Sequence, residues 1–155
     1  LERTLATAAL LEAYFGDPPA DAPQRPYEYL DWVSLLKSRT AFEAYCQVYT
    51  ADLQAERIAA FLLLNAEFAL SARFAVERVQ IALAAVERLT RARNSQQIAR
   101  LAGRMRATFD YAQIDEILEA GLVPFLQQVR EQCGQIHTRL HEVYFQPPIE
   151  AVLAS

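Results

Sequence analysis

The sequence predicts an all-α fold, a bundle of about six to seven helices in a single domain over residues 1–155, from three observations. Of its 155 residues, 53% are hydrophobic and only four are glycine, a composition typical of a compact helical protein. Apolar residues recur every three to four positions, which places them on one face of a helix. No segment alternates apolar and polar residues for long enough to form a β-strand.

Local start and stop signals predict the helices of the first half. Gly16 is placed to end the first helix, and Thr40 with Glu43 three residues later matches a capping box. Asp52 is the expected cap of the helix that follows. Four of the seven prolines lie within residues 17–26, which are therefore predicted to form a loop. The helices predicted in this half cover residues 1–15, 27–38, 41–49 and 53–65.

Glycine and proline mark the boundaries of the second half. Gly121 separates a short helix from the last long one, and Pro124 suits the first turn of that last helix. Pro147 and Pro148 are expected to end it. A serine precedes the long apolar-rich run of this half and is its expected cap. The first three helices predicted here begin at Ser71, at Asn94 or Ser95, and near Ile114, and the last has Pro124 in its first turn.

Charge and cysteine content exclude several classes of function. A net charge of −4 argues against a nucleic-acid partner, because such proteins present a basic surface. Lys37 is the only lysine and lies in a polar junction, which makes lysine-based chemistry improbable. Cys46 and Cys133 are far apart and lack metal-ligand spacing, so we expect reduced thiols in a cytoplasmic protein. Apolar runs such as residues 61–64 are far too short to cross a bilayer, so no membrane partner is expected.

A Glu-Arg pair occurs twice, as Glu2-Arg3 in the first helix and as Glu77-Arg78 in the run of residues 71–91. Spaced at about 100° per residue, this run forms a wide apolar arc with Arg78 in its middle. A guanidinium held there would leave water and would need an acceptor. Glu2 falls among alanines of the first helix. We therefore expect each pair to place a charge on a dry face, and the similarity of the two stretches suggests two pseudo-repeats.

Three roles stay open for these pairs, and the third is simple exposure at the surface of a differently packed bundle. In the first, they join the two helices through reciprocal ion pairs, Glu2 with Arg78 and Arg3 with Glu77. Loss of Arg78 would then leave a buried carboxylate unpaired and cost roughly 3–5 kcal/mol. In the second, Arg3 or Arg78 stays free and binds a carboxylate or phosphate in a pocket between the helices, with Glu2 or Glu77 as acid or base.

Other chemistry-bearing residues give weaker signals. His137 and His141 are four residues apart, as in some metal sites, but the glutamates of zinc-protease and di-iron patterns are absent, so no metal is expected. Asp115 and Glu116 suit the first turn of a short helix, where the helix dipole favours negative charge. Partner contact or acid–base work is the alternative for them. Arg73 is a further secondary candidate. No phosphate loop or nucleophile elbow is present, so neither a catalytic residue nor a cofactor is nominated.

Several stretches of the chain, taken in order, resemble the bacterial Alpha-E family, a helical domain named for a Glu-Arg motif that typically occurs twice. The resemblance rests on their order and spacing and extends over nearly the whole chain. It implies that Glu2, Arg3, Glu77 and Arg78 are the motif residues. The family usually has further residues before its first motif, so we expect the N-terminus to be truncated. The matching stretches are residues 1–4, 61–64, 71–78, 101–107, 111–122, 125–126 and 136–145.

The Alpha-E resemblance also implies a biological setting. The family has no assigned reaction, and its genomic neighbours include circularly permuted ATP-grasp ligases. We therefore expect a non-catalytic helical module that binds or supports an ATP-grasp-type ligase in a peptide synthesis or modification system. A homo-oligomer stays open. The alternative function is an enzyme or small-molecule-binding component with an anion-clamp site between the two Glu-Arg helices.

Overall fold

The computed structural model describes residues 1–16, 29–90 and 95–145, and every regular element in these ranges is an α-helix. The all-α class is therefore confirmed. Eight helices occur in the described ranges, slightly more than the six to seven that were expected for the bundle. None of these helices is long and apolar enough to cross a membrane. They are α1 (Glu2–Phe15), α2 (Tyr29–Ser38), α3 (Phe42–Tyr49), α4 (Ala55–Leu64), α5 (Ala72–Thr90), α6 (Ser95–Asp110), α7 (Ile114–Ala120) and α8 (Leu122–Tyr144).

Helix α4 lies at the centre of the core, because it is apolar on nearly every side. It contacts α1, α2, α3, α5 and α7. Phe61 is fully buried, meets the ring of Tyr45 edge-on at 5.5 Å between centroids, and stacks on Phe68 at 4.8 Å. The Tyr45 hydroxyl donates a hydrogen bond to the carbonyl of Asp52 at 2.6 Å. A helix with apolar residues all round its circumference is stable only when neighbours enclose it, and α4 meets that condition.

The longer helices pack around this centre and hold the motif residues. Helix α5 lies along α6, while α8 contacts both α1 and α6. Helix α1 buries Thr4, Thr7, Ala8 and Leu11, which recur every three to four residues. Through this face α1 reaches α4, α5 and α8. The two helices that carry the Glu-Arg pairs are therefore neighbours.

Two of the predicted caps are wrong, and one of them has a clear cause. The side chain of Thr40 does not cap α3. The N-cap residue of α3 is Ala41, and no side chain forms a capping hydrogen bond there. Thr40 has a φ of 50° and donates its N–H to Lys37, while the N–H of Ala41 reaches Leu36 at 2.8 Å. These two bonds are the Schellman arrangement that closes a helix, so Thr40 ends α2 instead of starting α3. Asp52 does not cap α4 either, because the N-cap residue of α4 is Gln54 and no side chain forms a capping hydrogen bond there.

Other boundary signals agree with the structure. The hydroxyl of Ser71 accepts a hydrogen bond from the N–H of Phe74 at 3.1 Å and so caps α5. Gly16 follows α1 as expected. Gly121 separates α7 from α8 with a φ of 99°, a conformation that a residue with a Cβ rarely adopts, and Pro124 falls in the first turn of α8. The predictions for residues 17–26, 94 and 147–148 lie outside the described residues.

Candidate functional site

Only one side of the apolar arc of α5 lies inside the bundle. Ala72, Ala75 and Val76 are buried, whereas Arg78 in the middle of the arc is exposed. The prediction that Arg78 points to a dry face is therefore wrong. The arc spans roughly 200°, more than the neighbouring helices cover. Because α1 and α4 lie on one side of α5 and α6 lies beside its polar flank, the Arg78 side faces solvent.

The first Glu-Arg pair is exposed as well. Glu2 and Arg3 are both solvent-accessible, and so are Ala6 and Ala9, which were expected to share a dry face with Glu2. Helix α1 instead turns its threonine and leucine face inward. Burial of an alanine removes little apolar surface from water, so the larger side chains decide the orientation of the helix. The prediction of a buried Glu2 is wrong for this reason.

The reciprocal ion pairs between α1 and α5 do not form. Glu77 is half-buried and pairs with Arg106 of α6, with 3.3 Å between its carboxylate and the guanidinium. Within residues 1–16, 29–90 and 95–145, no ion pair involves Glu2, Arg3 or Arg78. Adjacent residues of a helix point about 100° apart, so Glu77 can face α6 while Arg78 faces solvent.

A network of alternating charges links α5 to α6. Arg106 donates to Asp110 at 3.1 Å and to the side-chain carbonyl of Gln80 at 3.2 Å. Asp110 in turn accepts a hydrogen bond from Arg73 at 3.3 Å. Two arginines and two carboxylates, Arg73, Glu77, Arg106 and Asp110, thus form one connected cluster, which we call the α5–α6 network. Its charges sum to zero.

The network surrounds a small cleft of about 170 Å³, with Val76 and Phe109 as its apolar walls. Its side chains are about one-third exposed, so water screens each ion pair. The hydrogen bond to Asp110, followed by the charges of Asp110 and Glu77, raises the pKa of Arg106. The arginine therefore stays cationic. Because each guanidinium already faces a carboxylate, the arrangement suits fixing the register of α5 on α6 more than binding an anion.

The secondary candidates lie in two places. Arg73 joins the network through Asp110. Asp115 and Glu116 are exposed in the first turn of α7, the position that the sequence predicts. Glu116 lines an open cleft of about 380 Å³ between α6, α7 and α8, where Tyr111 is 83% exposed. The structure therefore does not bring the acidic pair of α7 together with the Glu-Arg residues.

The two histidines of α8 are both exposed, and His141 stacks on Phe145 with 5.7 Å between ring centroids. Among the residues that the structure describes, no three His, Cys, Asp or Glu side chains are grouped so that they could hold a metal ion.

Sequence reasoning missed two arginines that matter to the site. Arg106 pairs with Asp110 one helical turn later, and this i,i+4 spacing was a signal that could have indicated it. Arg39 follows α2 and donates a hydrogen bond to the buried Thr7 hydroxyl of α1 at 3.0 Å. Arg39 lies in the polar junction after α2 and Thr7 on the inner face of α1, 32 positions apart in the sequence, so no local pattern predicts their contact.

The fold and the site together define a class, an all-α module whose second motif glutamate forms an ion pair between helices. The chain belongs to the Alpha-E family: the family model, described as a predicted alpha-helical domain with a conserved ER motif, matches residues 1–145. The resemblance found in the sequence is thereby confirmed. Neither the curated proteins nor the solved structures contain a significant match.

Proposed function

We propose that this chain is a non-catalytic helical module that binds an ATP-grasp-type ligase in a peptide synthesis or modification system. The ligase and the system come from the family resemblance. One observation supports a binding role, the uncovered apolar side of α5. We call this surface the outer face of α5, and it consists of Arg78, Ile81, Ala82, Ala85 and Leu89.

The outer face of α5 has the composition of a protein-binding surface. Leu89 is 85% exposed and Ile81 46% exposed, one on each side of the half-buried Ala85. A helix normally turns such a stripe toward a partner, because apolar surface left in water costs free energy. Arg78 lies within the stripe, and arginine is enriched at the energetic centres of interfaces. A groove of a partner protein could therefore accept this helix face.

The non-catalytic part of the proposal is supported by the pairing of the charged groups. In the α5–α6 network each carboxylate faces a guanidinium, so neither Glu77 nor Asp110 is free to act as a general base. Burial raises the pKa of the Cys133 thiol to about 11, which disfavours a thiolate nucleophile at neutral pH. Both cysteines are free thiols, in keeping with the cytoplasmic setting that we include in the proposal.

We also propose that the two Glu-Arg stretches are pseudo-repeats with divergent surroundings. In both helices the motif arginine is exposed, as Arg3 in α1 and Arg78 in α5. The glutamates differ, because Glu77 meets Arg106 whereas Glu2 has no ion pair within the described ranges.

The alternative function, an anion clamp between the Glu-Arg helices, finds less support. The cleft beside Glu77 contains Arg73 and Arg106, but both already pair with carboxylates. An anion entering there would have to displace Asp110 or Glu77 and would meet a site of zero net charge. The predicted clamp arginines, Arg3 and Arg78, do not line this cleft. We therefore place the clamp hypothesis second to the binding module.

Co-purification with an ATP-grasp-type ligase tests the proposal. We expect a complex in size-exclusion chromatography, and we expect Leu89→Asp to weaken it at least about tenfold, because a carboxylate would be desolvated in the interface. The matched control is Val48→Asp, since Val48 is a 55% exposed valine on α3, away from α5. Arg78→Glu should also weaken the complex, and Arg104→Glu should not.

The absence of a complex, or equal weakening by Leu89→Asp and Val48→Asp, would contradict the binding role of the outer face. An amide-formation assay of the ligase with and without this chain then tests whether the module supports the reaction. A chain that forms amide bonds without the ligase would contradict the non-catalytic assignment.

A further inference from the structure

A partly buried arginine without a carboxylate partner lies where α1, α2 and the start of α5 meet. Arg39 follows α2, and its guanidinium donates from Nη2 to the Thr7 hydroxyl at 3.0 Å. Thr7 is fully buried, and its hydroxyl also lies 3.1 Å from the carbonyl of Arg3 and 3.4 Å from that of Leu70. The guanidinium is therefore held by a hydroxyl that is itself fixed by the preceding turn of α1 and by the segment before α5.

The charges around Arg39 are unbalanced. Its Nε atom is buried and has no hydrogen-bond acceptor. No ion pair in the described part of the chain involves either Arg39 or Arg3. The neighbouring charge that acts on Arg39 is the like charge of Arg3, which, after the effect of burial, further lowers the pKa of Arg39. The geometry places Arg3 at the same junction, because the Thr7 hydroxyl that accepts from Arg39 also contacts the Arg3 carbonyl.

This arrangement costs free energy in the isolated chain. A cation that leaves water without a partner loses hydration, and a like charge beside it adds repulsion. The α5–α6 network shows the contrasting case, since its two arginines are neutralised by Glu77 and Asp110. An anion between Arg39 and Arg3 would remove both costs, because guanidiniums bind oxyanions through pairs of parallel N–H groups.

We propose that Arg39 and Arg3 form a binding site for a phosphate group, positioned by the Thr7 hydroxyl. Two guanidinium charges match a phosphate dianion better than a single carboxylate. Arg3 is exposed, so a phosphorylated small molecule could reach its guanidinium from solvent. This proposal does not depend on the ligase partnership, and it assigns a role to Arg39, which lies outside both Glu-Arg motifs.

Inorganic phosphate is the probe for the test. Titrating it into the full chain at low ionic strength, while following the arginine Nε–Hε signals by NMR, should give saturable shifts for Arg39 and Arg3. Sulfate should compete, whereas acetate and chloride at the same ionic strength should bind at least about tenfold more weakly. Shifts of all exposed arginines alike, without saturation, would overturn the proposal as non-specific ion adsorption.

Variants locate the binding. We expect Arg39→Gln to weaken phosphate binding at least about tenfold, Arg3→Gln to weaken it less, and Arg39→Lys to give an intermediate affinity because lysine keeps the charge without the planar fork. The matched control is Arg100→Gln, since Arg100 is exposed and has no ion pair in the described ranges. Equal weakening by Arg39→Gln and Arg100→Gln would overturn the site.

Thermal unfolding separates binding from a purely structural role. Phosphate should raise the Tm of the unmodified chain and of Arg100→Gln, and should leave the Tm of Arg39→Gln unchanged. If Arg39 serves only to hold Thr7, phosphate will stabilise the Arg39→Gln variant as much as the unmodified chain, and the proposal fails. If Arg39→Gln does not fold, the phosphate-induced rise in Tm is compared between Arg3→Gln and the unmodified chain, and we expect a smaller rise in Arg3→Gln.

Discussion

Two regions of this protein rich in apolar side chains, the aromatic cluster around Phe61 and the outer face of α5, lie in opposite environments. In the first, Tyr45, Phe61 and Phe68 are enclosed by α3, α4 and the segment before α5. In the second, Ile81 and Leu89 are exposed on a helix that neighbours cover on the other sides. Apolar composition alone therefore does not decide burial. The number of neighbouring helices does.

The largest effect is expected where enclosure is complete. Phe61→Ala removes a ring that contacts Tyr45 and Phe68 and leaves a cavity, so it should lower the free energy of unfolding by about 3–5 kcal/mol. Urea denaturation measures this. Leu89→Ala is the control from the open region and should change the free energy by less than about 0.5 kcal/mol. Similar losses for both variants would contradict the distinction between the regions.

Alkaline pH should also act on the enclosed region. Burial, with smaller effects from Tyr49 and Asp52, raises the pKa of Tyr45 to about 12. The unfolded chain releases this proton near the ordinary pKa of about 10, so the stabilisation is fully present below pH 10 and is lost as pH rises toward 12. The loss should be on the order of 2 kcal/mol.

Urea denaturation at several pH values from 9 to 12 would measure this loss, and the Tyr45→Phe variant is its control, because phenylalanine cannot ionise. We expect the variant to have a smaller decline in stability over this range than the unmodified chain. The same decline in both chains would show that other groups are responsible.

The α5–α6 network should contribute less. Glu77→Gln removes the charge that faces Arg106 in a partly solvated setting, so we expect Tm to fall by no more than about 3 °C. Differential scanning calorimetry measures the shift, and 0.5 M salt should diminish it because salt screens exposed ion pairs. Glu131→Gln, an exposed glutamate of α8, is the control. A much larger, salt-independent fall would mean that the network is shielded from water.

The smallest effect on stability is expected at Arg78. The structure exposes this side chain on the outer face of α5, so Arg78→Ala should change the free energy of unfolding by less than about 0.5 kcal/mol. A buried ion pair would instead predict a loss of several kcal/mol for this variant. Urea denaturation checks it, and a loss above about 2 kcal/mol would restore the buried arrangement.

Much of the fold could be predicted from local signals, and the candidate site could not. Gly16, Ser71 and Gly121 mark helix boundaries because caps depend on a few adjacent residues. Thr40 misleads, since the same residue type can follow one helix or precede the next. The partners of Glu77 and Arg39 lie on other helices, and helical periodicity does not state which helix will face them.

The sequence by itself determined the helical class, the position of most helices and the membership of the Alpha-E family, because periodicity, caps and motif order are properties of the chain. The tertiary structure decided which side of each amphipathic helix lies inside. The apolar arc of α5 is wider than its neighbours can cover, so packing alone placed Glu77 against Arg106 and left Arg78 in solvent. Packing likewise brought Arg39 to the Thr7 hydroxyl of α1, a contact between residues that are distant in sequence.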